Sequence, residues 1–178
     1  MTCKQILRLG AAMAIILTGS WFIQTRVHAA DEQPKVTLDA AHIGPRDIED
    51  LTRKSVARDY GYAWSTMTEA LRQNRPDLLN AYFTGFAKQD LTNKLNDQKR
   101  TGVRVVYHDL GHHLDALFYS PAGDAMQLRD TAQLQIEVME GGKVLSRNRA
   151  DLQYMVLMTP GADRWMVRDL EGVPASKR

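Results

Sequence analysis

The sequence has 178 residues, of which 44% are hydrophobic and 25% are charged, and these values are typical of one soluble globular domain. The formal net charge of +2 provides no electrostatic basis for binding a nucleic acid, so no nucleic-acid partner is expected. The one cysteine, Cys3, precedes an apolar run at the N-terminus, which excludes a disulfide framework and thiol chemistry in the domain that follows.

The first residues, 1–29, have the pattern of a secretory signal peptide. Lys4 and Arg8 form a positive start, residues 9–23 carry no charge, and residues 27–29 resemble an A-x-A cleavage site. The uncharged run is short for a spanning helix, which needs about 20 apolar residues, and a retained inner-membrane anchor is the alternative. Removing this segment takes away three basic and no acidic residues, so the formal net charge becomes −1. We predict a periplasmic or secreted protein that contacts a membrane only if the segment is retained.

Three helices are predicted after a polar linker at residues 30–44. Pro45 followed by acidic residues marks a helix start, because proline suits the first helical position and acids complement the helix dipole. Apolar steps of three and four extend this helix to about Gln73, through Ala57, Tyr60, Trp64, Met67 and Leu71. Residues 74–77 end it and start a short second helix, and residues 87–100 form a third.

The apolar period then changes to the alternation of β-strands. A first long strand changes parity near Gly111, which indicates a bulge or bend. A second strand at residues 126–138 alternates most clearly and ends in a Gly-Gly hairpin turn. Two further strands cover about residues 148–158 and 164–170.

These elements predict one α+β domain at residues 45–173, followed by a tail at residues 174–178. In this prediction three N-terminal helices pack on a bent, four-stranded antiparallel sheet. One face of the sheet is buried and the other is wet, because each strand alternates between apolar and polar residues.

Three local features resemble the nuclear transport factor 2 superfamily, which includes ketosteroid-isomerase-like and polyketide-cyclase-like proteins. They are Ala63 and Trp64 in the long helix, the break at residues 74–77, and the last strand at residues 164–170 with its Trp and final Asp-Leu. The resemblance implies a cone-like, cystatin-like roll whose curved sheet surrounds a cavity plugged by the helices. Members use that cavity as an active site, a ligand pocket or a core. Many similar proteins pair through the sheet, so a homodimer is also considered.

Asp130 is the first candidate for a catalytic role. It has the parity of Met126, Leu128 and Leu134, so strict alternation directs its carboxyl toward the core. A carboxyl in an apolar cavity acquires a raised pKa or a charged partner, and it suits a general base in an isomerase or dehydratase. The structural alternatives are a strand irregularity that turns Asp130 outward, or a hydrogen bond or ion pair in the core.

A dense group of potential ligand side chains occurs in the first long strand, at His108, Asp109, His112, His113 and Asp115. His108 and His112 are interpreted as sharing a strand face, but four residues along a strand span about 13 Å, too far for one metal ion. We therefore predict no metal site and interpret these histidines as strand-surface or pocket-rim residues. The alternative is an acid–base pair between one of them and Asp130.

Apolar residues on the helices and the sheet form a candidate ligand pocket. The helical stripe that includes Tyr60 and Trp64 is interpreted as core, with a pocket wall as the alternative. Met126, Leu128 and Leu134 face the same interior from the second strand and complete the candidate pocket.

The sequence supports three classes of function. The first is an exported non-catalytic domain that binds an apolar small molecule in the cone, or a protein partner through the outer sheet face. The second is a small lyase or isomerase with Asp130 as general base, assisted by His108, His112 or Tyr154. The third is a membrane-anchored periplasmic scaffold, which a retained N-terminal segment would favour. No cofactor is predicted for any of the three.

Overall fold

The computed structural model describes residues 35–174; the predicted signal segment and most of the predicted tail lie outside this range. The elements follow in the order β1 (Val36–Asp39), α1 (Asp50–Gln73), a 3₁₀ helix (Pro76–Ala81), α2 (Gly85–Thr101), β2 (Val103–Tyr119), β3 (Met126–Glu140), β4 (Lys143–Pro160) and β5 (Trp165–Val173). Within the described range, no helix is both long enough and apolar enough to cross a membrane.

All the strands belong to one five-stranded mixed sheet in the order β1-β2-β3-β4-β5. β1 runs parallel to β2, with Val36 beside His112, and the other neighbours are antiparallel. The predicted fold, three N-terminal helices on a four-stranded antiparallel sheet, is therefore wrong. A strand precedes the helices, and the second predicted helix is one short 3₁₀ segment. β1 has four residues, too few to show an alternating pattern, which is why it was included in the predicted linker.

Helix α1 forms because one apolar stripe faces the sheet while the opposite side is charged. Tyr60, Trp64 and Leu71 are buried, as the periodicity predicts. The helix ends after Gln73, also as predicted. Asn74 follows it in the left-handed conformation, with φ 56°, and its backbone N–H donates to the carbonyl of Ala70.

The start of α1 differs from the prediction. The helix begins at Asp50, whose charge complements the positive end of the helix dipole. Pro45 instead lies beside Tyr119 at the end of β2, where the Tyr119 N–H donates to the Gly44 carbonyl over 2.8 Å. The residues before α1 therefore extend the sheet and do not extend the helix.

A β-bulge in β2 determines which of its residues face the core. The register between β2 and β3 shifts between Asp109 and Gly111, so Leu110 is an extra residue in β2. Gly111 has φ 144°, in a region that favours glycine. The predicted bulge near Gly111 is confirmed. Because of the extra residue, Asp109 and His112 turn toward the same inner face of the sheet.

The strand β4 extends well beyond its neighbour β5. Strand β5 pairs only with residues 153–160 of β4, so residues 143–152 have no strand on that side among the described residues. We call residues 143–152 the open β4 edge. With the adjoining ends of β2 and β3 it forms a three-stranded tip of the sheet.

Candidate functional site

Asp130 lies on the inner face of β3, between Leu128 and Ala132, and its side chain is completely buried. The predicted inward orientation is confirmed. Its neighbours on the adjacent strands are Leu114 of β2 and Tyr154 of β4. A carboxylate in this position loses its solvation by water, so it requires hydrogen-bond donors within the protein.

Hydrogen bonds connect Asp130 to side chains from two other elements. Tyr60 Oη of α1 donates to Asp130 Oδ2 over 2.7 Å, and His112 Nδ1 of β2 lies 2.8 Å from the same oxygen. On the other side of the ring, His112 Nε2 lies 2.7 Å from Asp109 Oδ2. We call Tyr60, Asp109, His112 and Asp130 the buried His–Asp cluster. The cluster joins α1, β2 and β3 across the core.

The imidazole of His112 is protonated on both nitrogens, because each nitrogen faces a carboxylate oxygen that accepts a hydrogen bond. Burial by itself lowers the pKa of His112, but the hydrogen bonds and negative charges of Asp109 and Asp130 raise it to about 9. Burial, and then the charge of Asp130, raise the pKa of Tyr60 well above its ordinary value, so its hydroxyl remains a donor. The cluster therefore holds an imidazolium at neutral pH.

Aromatic rings enclose this imidazolium. The ring centroid of Trp64 lies 4.5 Å from that of His112, and the Tyr60 ring meets it edge-on at 5.5 Å. Both rings therefore pack directly against the His112 side chain, which is completely buried. Trp64 Nε1 and Asp130 Oδ1 are buried and make no hydrogen bond of good geometry with the described residues. One oxygen of Asp130 is thus unused.

A separate cavity of about 180 Å³ lies between the two helices and the sheet. Its wall is mainly apolar and aromatic and includes Trp64, Met67, Leu91, Tyr107, Tyr154 and Leu170, with charges from Asp90 and Lys94. Lys94 Nζ donates to the Tyr107 hydroxyl over 2.6 Å and lies over the same ring. Trp64 contacts both the cavity and the buried His–Asp cluster, whereas Asp130 and His112 do not line the cavity.

The predicted ligand-binding residues divide into two groups. Trp64 lines the cavity. Tyr60, Met126, Leu128 and Leu134 are buried and lie outside its wall. The three sheet residues pack the core, and Tyr60 belongs to the buried His–Asp cluster.

The predicted catalytic residues are not brought together as one set. His112 contacts Asp130, but His108 lies on the outer face, with its Nε2 3.3 Å from Glu137 Oε1. The interpretation that His108 and His112 share a face is wrong, because the extra residue in β2 changes the parity between them. Tyr154 is the cross-strand neighbour of Asp130, yet no hydrogen bond joins its hydroxyl to that carboxyl. Burial raises the pKa of Tyr154 above its ordinary value.

Asp109 is a partner of His112 that the sequence pattern does not indicate. Residues three apart in a regular strand lie on opposite faces, so regular alternation excludes this contact. The bulge before Gly111 is the signal that could have found it, because one extra residue places both side chains on the inner face. Within residues 35–174, no three or more His, Cys, Asp or Glu side chains are arranged to hold a metal ion.

No known family model matches the chain, and no curated protein matches its sequence. Solved structures do resemble it. The crystal structure of the intermembrane space region of the chloroplast protein ARC6 matches with a TM-score of 0.58 and 13% identity, over 72% of this chain and 98% of that chain. A structure from Catenulispora acidiphila matches with a TM-score of 0.47 and 9% identity, over 69% and 94% of the two chains. The likeness to the ARC6 region shows a shared fold.

Proposed function

We propose that this chain is an exported, non-catalytic domain that binds a protein partner. The closure of the buried His–Asp cluster carries the non-catalytic part of the proposal, and the unpaired backbone of the open β4 edge supports a protein partner. His112 and Asp130 are the groups best suited to acid–base chemistry, and they are hydrogen-bonded to each other. His112 is also hydrogen-bonded to Asp109, and Asp130 accepts a hydrogen bond from Tyr60. Groups bonded in this way stabilise the fold and are withheld from a substrate.

The geometry disfavours the alternative of a lyase or isomerase. A general base must lie within about 3 Å of the proton that it removes. The side chains of His112 and Asp130 are completely buried, and both nitrogens of His112 face carboxylates. The feature that favours this alternative is Asp130 Oδ1, which has no hydrogen-bond partner among the described residues. The cavity, however, does not reach Asp130.

A small apolar ligand is the second candidate, because the cavity offers an aromatic wall. Its volume of about 180 Å³ is smaller than the roughly 300–1,000 Å³ that is usual for ligand pockets. An apolar cavity of about 150 Å³ is known to accept a molecule of the size of benzene. The volume thus suits a molecule of about one ring, and Lys94 is the cation among the described lining residues.

The exported location and the superfamily are parts of the same proposal. The signal-like pattern of residues 1–29 supports export. The similar structure is named as an intermembrane space region, which agrees with a domain outside the cytoplasm. Helices packed against one face of a mainly antiparallel sheet agree with the resemblance to nuclear transport factor 2-like proteins. If residues 1–29 are retained, the same domain is a membrane-anchored scaffold, and intact mass of the isolated protein distinguishes the two forms.

The test is native mass spectrometry of the chain isolated from its host in the processed form in which it occurs. A stoichiometric complex with another protein is the expected result. The variant Leu91→Trp is the matched control, because a larger side chain at this wall position fills the cavity. A small molecule that is present in the wild type and absent from Leu91→Trp, without any protein partner, would instead establish the second candidate.

A further inference from the structure

We propose that the open β4 edge binds an extended, acidic segment of a partner protein, which is added to the sheet as a further strand. The inference rests on the proposed function and specifies its binding surface. Extended peptides that pair with an exposed sheet edge derive affinity from main-chain hydrogen bonds and specificity from alternate side chains.

The open β4 edge presents unpaired backbone groups over a long distance. Residues 143–152 pair with β3 on one side and with no described strand on the other. At about 3.3 Å per residue, this edge is about 33 Å long. Residues 143–149 are all exposed to solvent. A strand edge of this kind is a template for pairing with another chain unless it is covered or charged.

The charges on the edge favour an acidic partner. Lys143, Arg147 and Arg149 lie on it, against one acid, Asp151. Arg147 is already neutralised, since its Nε lies 2.6 Å from Glu137 Oε1. Lys143 and Arg149 form no ion pair with the described residues. Lys143 faces Glu140 across the strand pair, whereas Arg149 faces the neutral Gln135 and keeps its charge for a carboxylate on the added strand.

A second copy of the chain suits this edge poorly. In a twofold-symmetric dimer, β4 of one copy would pair antiparallel with β4 of the other. A given residue would then lie on the same face of the joined sheet in both copies. In the two longest such registers Arg149 lies opposite Leu145 or opposite Arg147, so neither register gives its unpaired charge a carboxylate. Like charges directly opposite each other destabilise a strand pair. The C-terminal tail suits it no better, because Pro174 lacks an N–H to donate and the tail adds the cations Lys177 and Arg178.

The exposed apolar residues at the start of β4 give the added strand a further contact. Val144 and Leu145 have 38% and 54% of their surface accessible. Leu145 is unpaired in the register, because Val144 faces Met139 and Ser146 faces Val138. An acidic strand with one apolar residue at this end would cover Leu145 while its carboxylates meet Arg149.

The test uses two labelled ten-residue peptides, one alternating Glu with Thr and Val and one with Lys in place of Glu. Binding to the protein as isolated from its host is measured by fluorescence anisotropy, and the contact is located by amide hydrogen exchange. We expect binding of the acidic peptide only, weakening with added salt, and new protection confined to residues 143–152. The double variant Lys143→Glu/Arg149→Glu should weaken binding by about tenfold or more.

The matched control is Lys54→Glu/Arg129→Glu, which changes the net charge equally at two exposed residues away from the edge. Equal weakening by the control and the edge variant, or protection elsewhere, would overturn the proposed edge site. So would binding of neither peptide. If a natural partner is found by mass spectrometry and remains bound to the edge variant, the proposed function stands and this inference fails. Association of the chain with itself, lost in the edge variant, would identify a second copy as the occupant and would also overturn it.

Discussion

The polar groups at the centre of the sheet are hydrogen-bonded within the protein, whereas many of those at the tip are exposed and unpaired within the described part of the chain. At the centre, the buried His–Asp cluster joins its charged side chains to one another by hydrogen bonds across three different elements. At the tip, the open β4 edge leaves backbone groups and two cations without a partner among the described residues. The difference indicates that the centre is built for stability, because removal of His112 would leave two largely buried carboxylates without a cation. Substitutions at the tip should cost little stability, because its residues are exposed. The same exposure allows a partner to contact them.

The largest effect is expected from removing the imidazolium at the centre. His112→Ala leaves Asp109 and Asp130 as buried carboxylates without a cation, so the free energy of unfolding should fall by about 3–5 kcal/mol. Urea denaturation followed by circular dichroism measures this change. The control is His113→Ala, whose side chain is 55% exposed and whose loss should change little. Similar losses for the two variants would contradict a special role for the centre.

The second effect is a dependence of stability on pH. His112 has a pKa of about 9 in the folded chain and 6.5 as its ordinary value, so between these values the folded state binds more protons than the unfolded state. Stability from this group is therefore fully present below pH 6.5 and is lost as pH rises through 9. The loss amounts to about 3 kcal/mol. Denaturation curves at both ends of this range measure it, and His112→Ala should show no such fall.

The smallest effect is expected at the tip. Leu145→Ser replaces an exposed side chain that is 54% accessible, so the free energy of unfolding should change by no more than about 0.5 kcal/mol. The same denaturation assay checks this, with Leu134→Ser as the buried counterpart on the neighbouring strand. A large loss from Leu145→Ser would show that the tip is part of the stabilising core, and the contrast between the two regions would disappear.

Much of the centre could be predicted from the sequence, because regular periodicity reports burial. The stripe through Tyr60 and Trp64 predicted the inner face of α1, and alternation along β3 directed Asp130 inward. The contact between Asp109 and His112 does not follow from alternation alone, because the parity change near Gly111 predicts a bulge or bend but does not identify Leu110 as the extra residue. A local pattern describes one element at a time, whereas this contact depends on how two strands pair.

The fold as a whole and the tip were harder to predict. A four-residue strand such as β1 carries no measurable period, and its parallel partner lies far away in the sequence. The third predicted strand began at residue 148, but β4 begins at Lys143. Its first residues are exposed on both faces, so no apolar alternation marks them as a strand. The open edge results from the different lengths of β4 and β5. The pattern within one strand does not show how far its neighbour extends along it.

The fully buried carboxyl of Asp130 also has a consequence for how the strands align during folding. A slip of β3 by one residue would bring Arg129 or Thr131 to the position beside His112. Arg129 would oppose the imidazolium with a second cation, and Thr131 would leave it with one carboxylate fewer. Misaligned sheets are thereby penalised electrostatically as well as by exposure of apolar side chains. The buried carboxyl in the middle of β3 thus favours one register for the long strands that form the tip.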